Sequence, residues 1–355
     1  MTSRESVLSA LSRVIDPELR KPITELGMVG QISETSVEIK LTIPTCPAAK
    51  QIQAAAQDAV TDLGIEVTLS SMTQDERTAL KEKLRAGKPA RTNPFDETSL
   101  TRIFLVGSGK GGVGKSSLTA NLAVALAEAG HSVGLIDADI FGYSIPGQLG
   151  IKEKPTQLDE MILPPVAFGV KVISIGMFVD GSQAVAWRGP MLHRTVEQFL
   201  KDVFWGELDF LLIDMPPGTG DVAISLGQLL PTAKSLVITT PQAAASEVAL
   251  RSGALGIQTG QEVFGVIENM SWLETTDGSR LEIFGSGGGQ TVADHFETEL
   301  LGQVPISVAL RESSDAGSPV VNSHPQDASA IAIKNLAQKM AESKLDLKGK
   351  RLKLI

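Results

Sequence analysis

The run Gly107-Ser108-Gly109-Lys110-Gly111-Gly112-Val113-Gly114-Lys115-Ser116 carries glycines, lysines and a hydroxyl at the spacing G-x-x-x-x-G-K-[ST]. That combination suits phosphate chemistry. Glycines let backbone N–H groups turn inward around phosphate oxygens, the N-terminus of a following helix adds its positive end, and Lys115 adds a full charge. The Ser116 hydroxyl is suited to ligate Mg2+. Nucleotide contacts are therefore expected from Gly109, Lys110, Gly111, Gly112, Val113, Gly114, Lys115, Ser116 and Ser117, with Lys115 also acting in catalysis. A glycine-rich turn without a ligand is the bland alternative, and the spacing, the lysine and the flanking elements together disfavour it.

Ligands of an open parallel sheet bind beyond the carboxyl ends of its strands, so the acidic residues there are the next candidates. Asp137 and Asp139 lie in DADIFGYS after an apolar run ending at Ile136, and Asp214 lies in DMPPGTGD after one ending at Ile213. A single such carboxylate often caps a helix or faces solvent. Their coincidence with a phosphate loop points to hydrolysis.

These residues need a strand, loop and helix to position them. An apolar run at 103–106 precedes the loop, and Leu118, Leu122 and Leu126 recur at helical spacing after it. Further β-rich runs at 133–136, 172–175, 210–213, 236–239 and 263–267 alternate with helical patterns, which predicts βαβ units and a mainly parallel sheet flanked by helices. Upstream, residues 5–15 and 47–63 show helical periodicity, while 37–43 and 66–69 read as strands, making a small α+β unit trailed by a charged helix. The stretch AGKPARTNPFDET has no periodicity and contains Pro89 and Pro94. The expected division is a small domain over 1–85, a linker over 86–98 and an α/β domain over 99–355.

The whole chain has 355 residues, 42% hydrophobic and 21% charged, as expected for a well-packed globular protein. A formal net charge of −9 disfavours a broad nucleic-acid-binding surface. Cys46 is the only cysteine and the 4 histidines are scattered, so an internal disulfide and a Cys/His metal site are both excluded, and a reducing cytoplasm is expected. No apolar run reaches the roughly 20 residues that span a bilayer, so stable membrane association is not expected.

The form GKGGVGKS resembles the deviant Walker A ATPases, the group of MinD and ParA. The resemblance implies an ATP-dependent homodimer in which Lys110 reaches the partner's phosphates, Asp139 is the catalytic carboxylate that positions the attacking water, and Asp214 binds Mg2+ through water. Asp137 takes a supporting role. Pro216-Pro217-Gly218-Thr219-Gly220-Asp221 resembles a nucleotide-sensing switch loop, and Asn269, read as closing the strand at 263–267, corresponds to the asparagine that meets the adenine edge.

Further segments, Trp187-Arg188-Gly189-Pro190-Met191, Glu268-Asn269-Met270-Ser271, Ile283-Phe284-Gly285-Ser286-Gly287-Gly288-Gly289 and Arg311-Glu312-Ser313-Ser314-Asp315-Ala316-Gly317, resemble the Mrp/ApbC iron-sulfur cluster carriers. Asp16-Pro17-Glu18 and Thr45-Cys46-Pro47 resemble the small assembly domain that such carriers bear. The resemblance implies scaffold or apo-protein clients. Carriers of this family usually hold a Cys-x-x-Cys pair after the Asn-Met-Ser segment, whereas this chain has Trp272-Leu273-Glu274-Thr275-Thr276-Asp277-Gly278-Ser279. Cys46 remains as an iron-sulfur ligand candidate; at the start of a helix its thiol is expected to have a lowered pKa, against the alternative of simple core packing. The 285–289 run reads as a flexible turn. A MinD/ParA-like positioning switch is the competing function, for which the tail KLDLKGKRLKLI offers bases and leucines.

Overall fold

Alternating apolar residues build the first unit. Strand β2 (Ser36–Leu41) buries Val37, Ile39 and Leu41, pairs antiparallel with β1 (Val29–Ile32) and pairs parallel with β3 (Glu66–Ser71). Helix α1 (Arg4–Leu11) buries Val7 and Leu11, and α2 (Ala49–Val60) buries Ile52, Ala56 and Val60, the faces expected from their spacing. Helix α3 (Gln74–Arg85) follows. Helix α1 stops short of the expected residue 15. Residues 14–16 pair across to 21–23 instead, with Ile23 N–H donating to the Val14 carbonyl and Asp16 N–H to the Lys21 carbonyl, both at 2.9 Å, while the Asp16 carboxylate accepts from the N–H groups of Glu18 (2.9 Å) and Leu19 (2.7 Å).

The structure, a computed structural model, describes residues 4–44, 46–85, 92–140, 142–178, 189–218, 221–275 and 277–343. Trp187, Arg188, Thr219, Gly220, the tail 344–355 and positions 86–91 of the expected linker lie outside the described residues. The chain divides into two compact units. The first takes Met1–Thr92 together with Pro155–Val166 and Asp202–Gly206, two segments that the sequence reading left in the α/β region. The reason is apolar burial: β6 (Thr156–Leu158) and β7 (Met161–Leu163) form an antiparallel hairpin whose Leu158, Met161 and Leu163 join the core of Val37, Ile39 and Ile52.

The second unit is the expected α/β sheet. Its parallel centre comprises β4 (Arg102–Ser108), β5 (Val133–Asp137), β9 (Val170–Ser174), β10 (Phe210–Asp214), β11 (Lys234–Thr239) and β12 (Glu262–Glu274). With β8 (Val166–Ala167) and β13 (Arg280–Leu281) at the two ends, the order is β13-β12-β11-β4-β10-β5-β9-β8, and β14 (Leu300–Ile306) also pairs with β12. Strands β4, β5 and β10 are buried nearly throughout, as both faces of the sheet are covered. The helices are α4 (Lys115–Glu128), α5 (Ile145–Gln148), α6 (Gly189–Lys201), α7 (Asp221–Leu229), α8 (Ala243–Gln258), α9 (Gly288–His295), α10 (Val308–Asp315), α11 (Val320–Ser323) and α12 (Ala328–Glu342). None among the described residues is long and apolar enough to cross a membrane.

Register places the acidic residues side by side. Asp214 at the end of β10 is level with Val106 of β4 and with Asp137 of β5. Strand β12 outruns the expected 263–267, so Asn269 lies within it rather than at its close. The strand continues because β14 pairs it as far as Leu273, while Met270 takes a left-handed φ of 57°.

Candidate nucleotide site

The phosphate loop links β4 to α4, with Lys115 as the first residue of the helix. Gly114 precedes it at φ 82°, a conformation that favours glycine, and a Cβ there would lie 2.2 Å from Asn269 Nδ2. Gly109 is required for a different reason: its Cβ would lie 2.2 Å from the Val248 carbonyl carbon and 2.4 Å from the Ala249 nitrogen, both backbone atoms of α8. The Ser108 hydroxyl donates to the Lys110 carbonyl at 3.1 Å, closing the loop's first turn.

Three donors converge on Asp214. Lys115 Nζ lies 2.8 Å from its Oδ1, Ser116 Oγ donates to Oδ2 at 2.7 Å and Thr119 Oγ1 donates to Oδ1 at 2.9 Å. Asp214 is 0% exposed and Lys115 6%. Burial pushes the Asp214 carboxyl above its ordinary range, opposed by Lys115, Ser116 and Thr119. The hard oxygens of Ser116 and Asp214, side by side at the helix N-terminus, fit the donor chemistry of Mg2+.

Asp137 works as a fastening point. Its Oδ1 accepts from the Asp139 N–H (3.2 Å), and its Oδ2 accepts from Ser174 Oγ (3.1 Å) and from the N–H groups of Ser144 (3.2 Å) and Ile145 (3.3 Å). Burial first, and the neighbouring Asp214 charge second, raise its pKa to about 7. Asp139 is thereby held beyond the strand end, where its Oδ1 accepts from Gly142 N–H at 3.0 Å. The Pro216-Pro217 loop is tied back to the phosphate loop by a 3.0 Å bond from Gly218 N–H to the Ser108 carbonyl.

Lys110 is half-buried, and its ammonium donates to Gln242 Oε1 at 3.1 Å. Asn269 Nδ2 donates to the Val113 carbonyl at 2.9 Å, while its Oδ1 is buried with no partner among the described residues. The neighbouring Glu268 is fully buried, accepting from Gly289 N–H at 2.6 Å and Gln303 Nε2 at 2.7 Å. Of the 285–289 run, positions 285–287 form an exposed turn, while Gly288 and Gly289 are buried in the first turn of α9. Gly287 caps α9, and a Cβ on Gly288 would lie 2.4 Å from the Pro241 carbonyl oxygen. Gln242, Thr119, Ser174 and Glu268 escaped sequence reasoning, since each belongs to an otherwise ordinary strand, turn or helix segment. Thr119, one helical turn after Lys115, could have been found from that spacing alone, which puts both side chains on one face of α4.

The expectation of a low thiol pKa at Cys46 is corrected. Cys46 is 6% exposed in the first unit's core, and α2 begins only at Ala49. Burial, then the charges of Glu18 and Asp16, push its thiol up to about 11. Among the described residues no group of three or more His, Cys, Asp or Glu is placed to hold a metal ion. The segment where carriers usually have their cysteine pair forms the β12–β13 hairpin, with the Arg280 guanidinium 4.0 Å over the Trp272 ring and Asp277 accepting from Ser279 N–H (3.1 Å). Those hydrogen bonds from Thr275 and Ser279 draw the Asp277 carboxyl down to about 2.

Comparison with known proteins follows the same two-part division. Residues 99–341 match the family profile described as NUBPL iron-transfer P-loop NTPase, and residues 4–70 match one described as iron-sulfur cluster assembly protein. The chain is 51% identical to the iron-sulfur cluster carrier protein of Mycobacterium leprae over 90% of this chain and 87% of that one. It is 38% identical to the carrier protein of Synechocystis, over 96% and 98% respectively. Among solved structures, the nucleotide-binding protein of Archaeoglobus fulgidus in complex with ADP is 35% identical with a TM-score of 0.54, covering 64% of this chain and 89% of that chain. The MinD cell division ATPase of Pyrococcus furiosus, 24% identical with a TM-score of 0.54 over 68% of this chain and 98% of that one, shares the fold.

Proposed function

Because this chain belongs to the iron-sulfur cluster carrier family of P-loop NTPases and is an ATPase, we propose that it works as a cytoplasmic ATP-switched homodimer that passes iron-sulfur clusters from a scaffold to apo-protein clients. One observation carries the nucleotide half of this reading: Lys115, Ser116 and Thr119 meet on one buried carboxylate, Asp214, at the mouth of a phosphate loop.

In the proposed cycle the triphosphate occupies the loop from Gly109 to Ser117, and Lys115 exchanges Asp214 for phosphate oxygens. Ser116 and Asp214 would hold Mg2+, which supplies further neutralisation of phosphate charge when bound. Asp139, kept beyond its strand by Asp137, orients the attacking water. Asn269 Oδ1 accepts from the adenine amino group, and Lys110 of each protomer reaches the other's phosphates. Loss of the γ-phosphate then releases the loop that Gly218 ties to Ser108, opening the dimer.

The cargo is handled differently from the usual arrangement in the family. One thiol per chain gives a dimer at most two, so scaffold or client ligands must complete the cluster's coordination. In this reading the first unit, Met1–Thr92 with Pro155–Val166 and Asp202–Gly206, supplies the docking surface for the scaffold, and the second unit carries the ATPase. Iron and acid-labile sulfide in protein purified without oxygen, with and without scaffold and in wild type and Cys46→Ala, test the reading. Cluster in the scaffold complex supports it. Absence of iron and sulfide in every sample, with no transfer to an apo-protein, refutes it.

A further inference from the structure

We propose that Gln242 is a positioning residue for Lys110, holding its ammonium within its own protomer and so setting how readily two ATP-loaded protomers close. The inference rests on the trans role proposed for Lys110. Its geometry is independent of that role. Lys110 Nζ donates to Gln242 Oε1 at 3.1 Å, Thr240 Oγ1 lies 3.5 Å from the same oxygen, and the Gln242 backbone is anchored. The Gln242 carbonyl accepts from the N–H groups of Ala245 (2.9 Å) and Ser246 (3.1 Å), which ties the residue to the start of α8. Pro241 is packed against α9, where a Cβ on Gly288 would lie 2.4 Å from its carbonyl oxygen and 2.6 Å from Ser246 Oγ. Gly109, the neighbour of Lys110, meets the backbone of the same helix at Val248 and Ala249 with no room for a Cβ. Helix α8 therefore sets both the path of the loop and the resting place of its extra lysine.

The chemistry of the acceptor matters as much as its place. Lys115 faces a carboxylate, whereas Lys110 faces an uncharged amide. An amide oxygen satisfies one of the three ammonium donors without neutralising its charge, so the lysine can leave for a phosphate oxygen of a second protomer. A glutamate at the same position would make an ion pair, further favoured at a helix N-terminus, and would retain the lysine in cis. An alanine would release it.

The test compares wild type, Gln242→Glu and Gln242→Ala, each with and without Lys110→Ala. Dimerisation is followed by sedimentation with a non-hydrolysable ATP analogue, and ADP affinity by calorimetry. Gln242→Glu is expected to weaken the dimer about tenfold or more, with ADP affinity unchanged. Gln242→Ala is expected to tighten it, and both effects should vanish when Lys110 is also alanine, as for residues acting through one interaction. The inference is overturned if Gln242→Glu dimerises as wild type, if its effect persists without Lys110, or if ADP affinity falls in parallel. Wild-type dimerisation and turnover in Lys110→Ala alone would instead remove the trans role of the lysine, and the inference with it.

Discussion

Lys115 and Asp214 form a buried ion pair, 2.8 Å from Nζ to Oδ1, between the first residue of α4 and the last of β10. The pair exists because β10 lies next to β4, so that the end of one strand faces the loop leaving the other. It holds the lysine at the loop before phosphate arrives and opposes the upward push of burial on the Asp214 carboxyl.

Replacing Lys115 by alanine removes the loop's full charge and leaves Asp214 buried without a cation. ADP binding should be lost, and stability should fall by about 3–5 kcal/mol. Calorimetric titration with ADP and urea denaturation read the two effects separately. Retained ADP binding would contradict the assignment of the loop.

Two glycines of the loop should behave oppositely. Gly109→Ala forces a Cβ into the backbone of α8 and should cost about 1–3 kcal/mol and weaken ADP binding, as overpacking does. A Cβ on Gly111 meets nothing within 4 Å, so Gly111→Ala should melt as wild type. Thermal unfolding of both variants decides, and equal melting would refute the close approach at Gly109.

Much of this site was legible before the fold. The loop and its lysine are a local pattern suited to phosphate, and the strand-end carboxylates gain meaning from standing beside it. The partners of those residues were not legible, because they come from register and packing. Glu268 reads as an ordinary residue in an apolar run, yet it caps α9 from 21 positions away. Gln242 belongs to no motif, and only the fold, which sets it immediately before α8, brings it to Lys110. At Cys46, between Pro44 and Pro47, the sequence leaves a helix-start thiol and a core-packing residue both open, and the surrounding core decides for packing. The hairpin at 156–163 carries no sequence signal that it belongs to the first unit, since its ties there, apolar packing on that core, the Thr156 bond to Glu18 and the Asp159 pair with Lys81, are all long-range.

Asn269→Asp should weaken ADP binding by about 1–3 kcal/mol, because the donor to the Val113 carbonyl becomes a second acceptor facing it. ADP calorimetry on the variant checks this. Unchanged affinity would show that the β12 contact does not shape the loop.

Glu18 provides a pH signature in the first unit. Burial raises its carboxyl from 4.5 to about 7, while Thr156 Oγ1 donates to its Oε1 at 2.7 Å. A carboxyl whose folded pKa is raised stabilises the fold below pH 4.5, and that contribution is lost as pH rises through about 7. Glu18→Gln keeps an acceptor for Thr156 but cannot ionise. Its melting temperature should therefore fall less than that of wild type between pH 5 and pH 8, a window set by the raised value of about 7. Identical pH dependence in the two proteins would rule out a half-buried Glu18 titrating near 7.

The most direct test of the whole account is anaerobic transfer of an iron-sulfur cluster from a loaded scaffold to an apo-protein, followed spectroscopically with and without Mg-ATP. Wild type should accelerate transfer when ATP is present, and Lys115→Ala should not. Equal transfer by wild type and Lys115→Ala, or none by either with an active scaffold, would contradict an ATP-driven carrier built on the Lys115–Asp214 site.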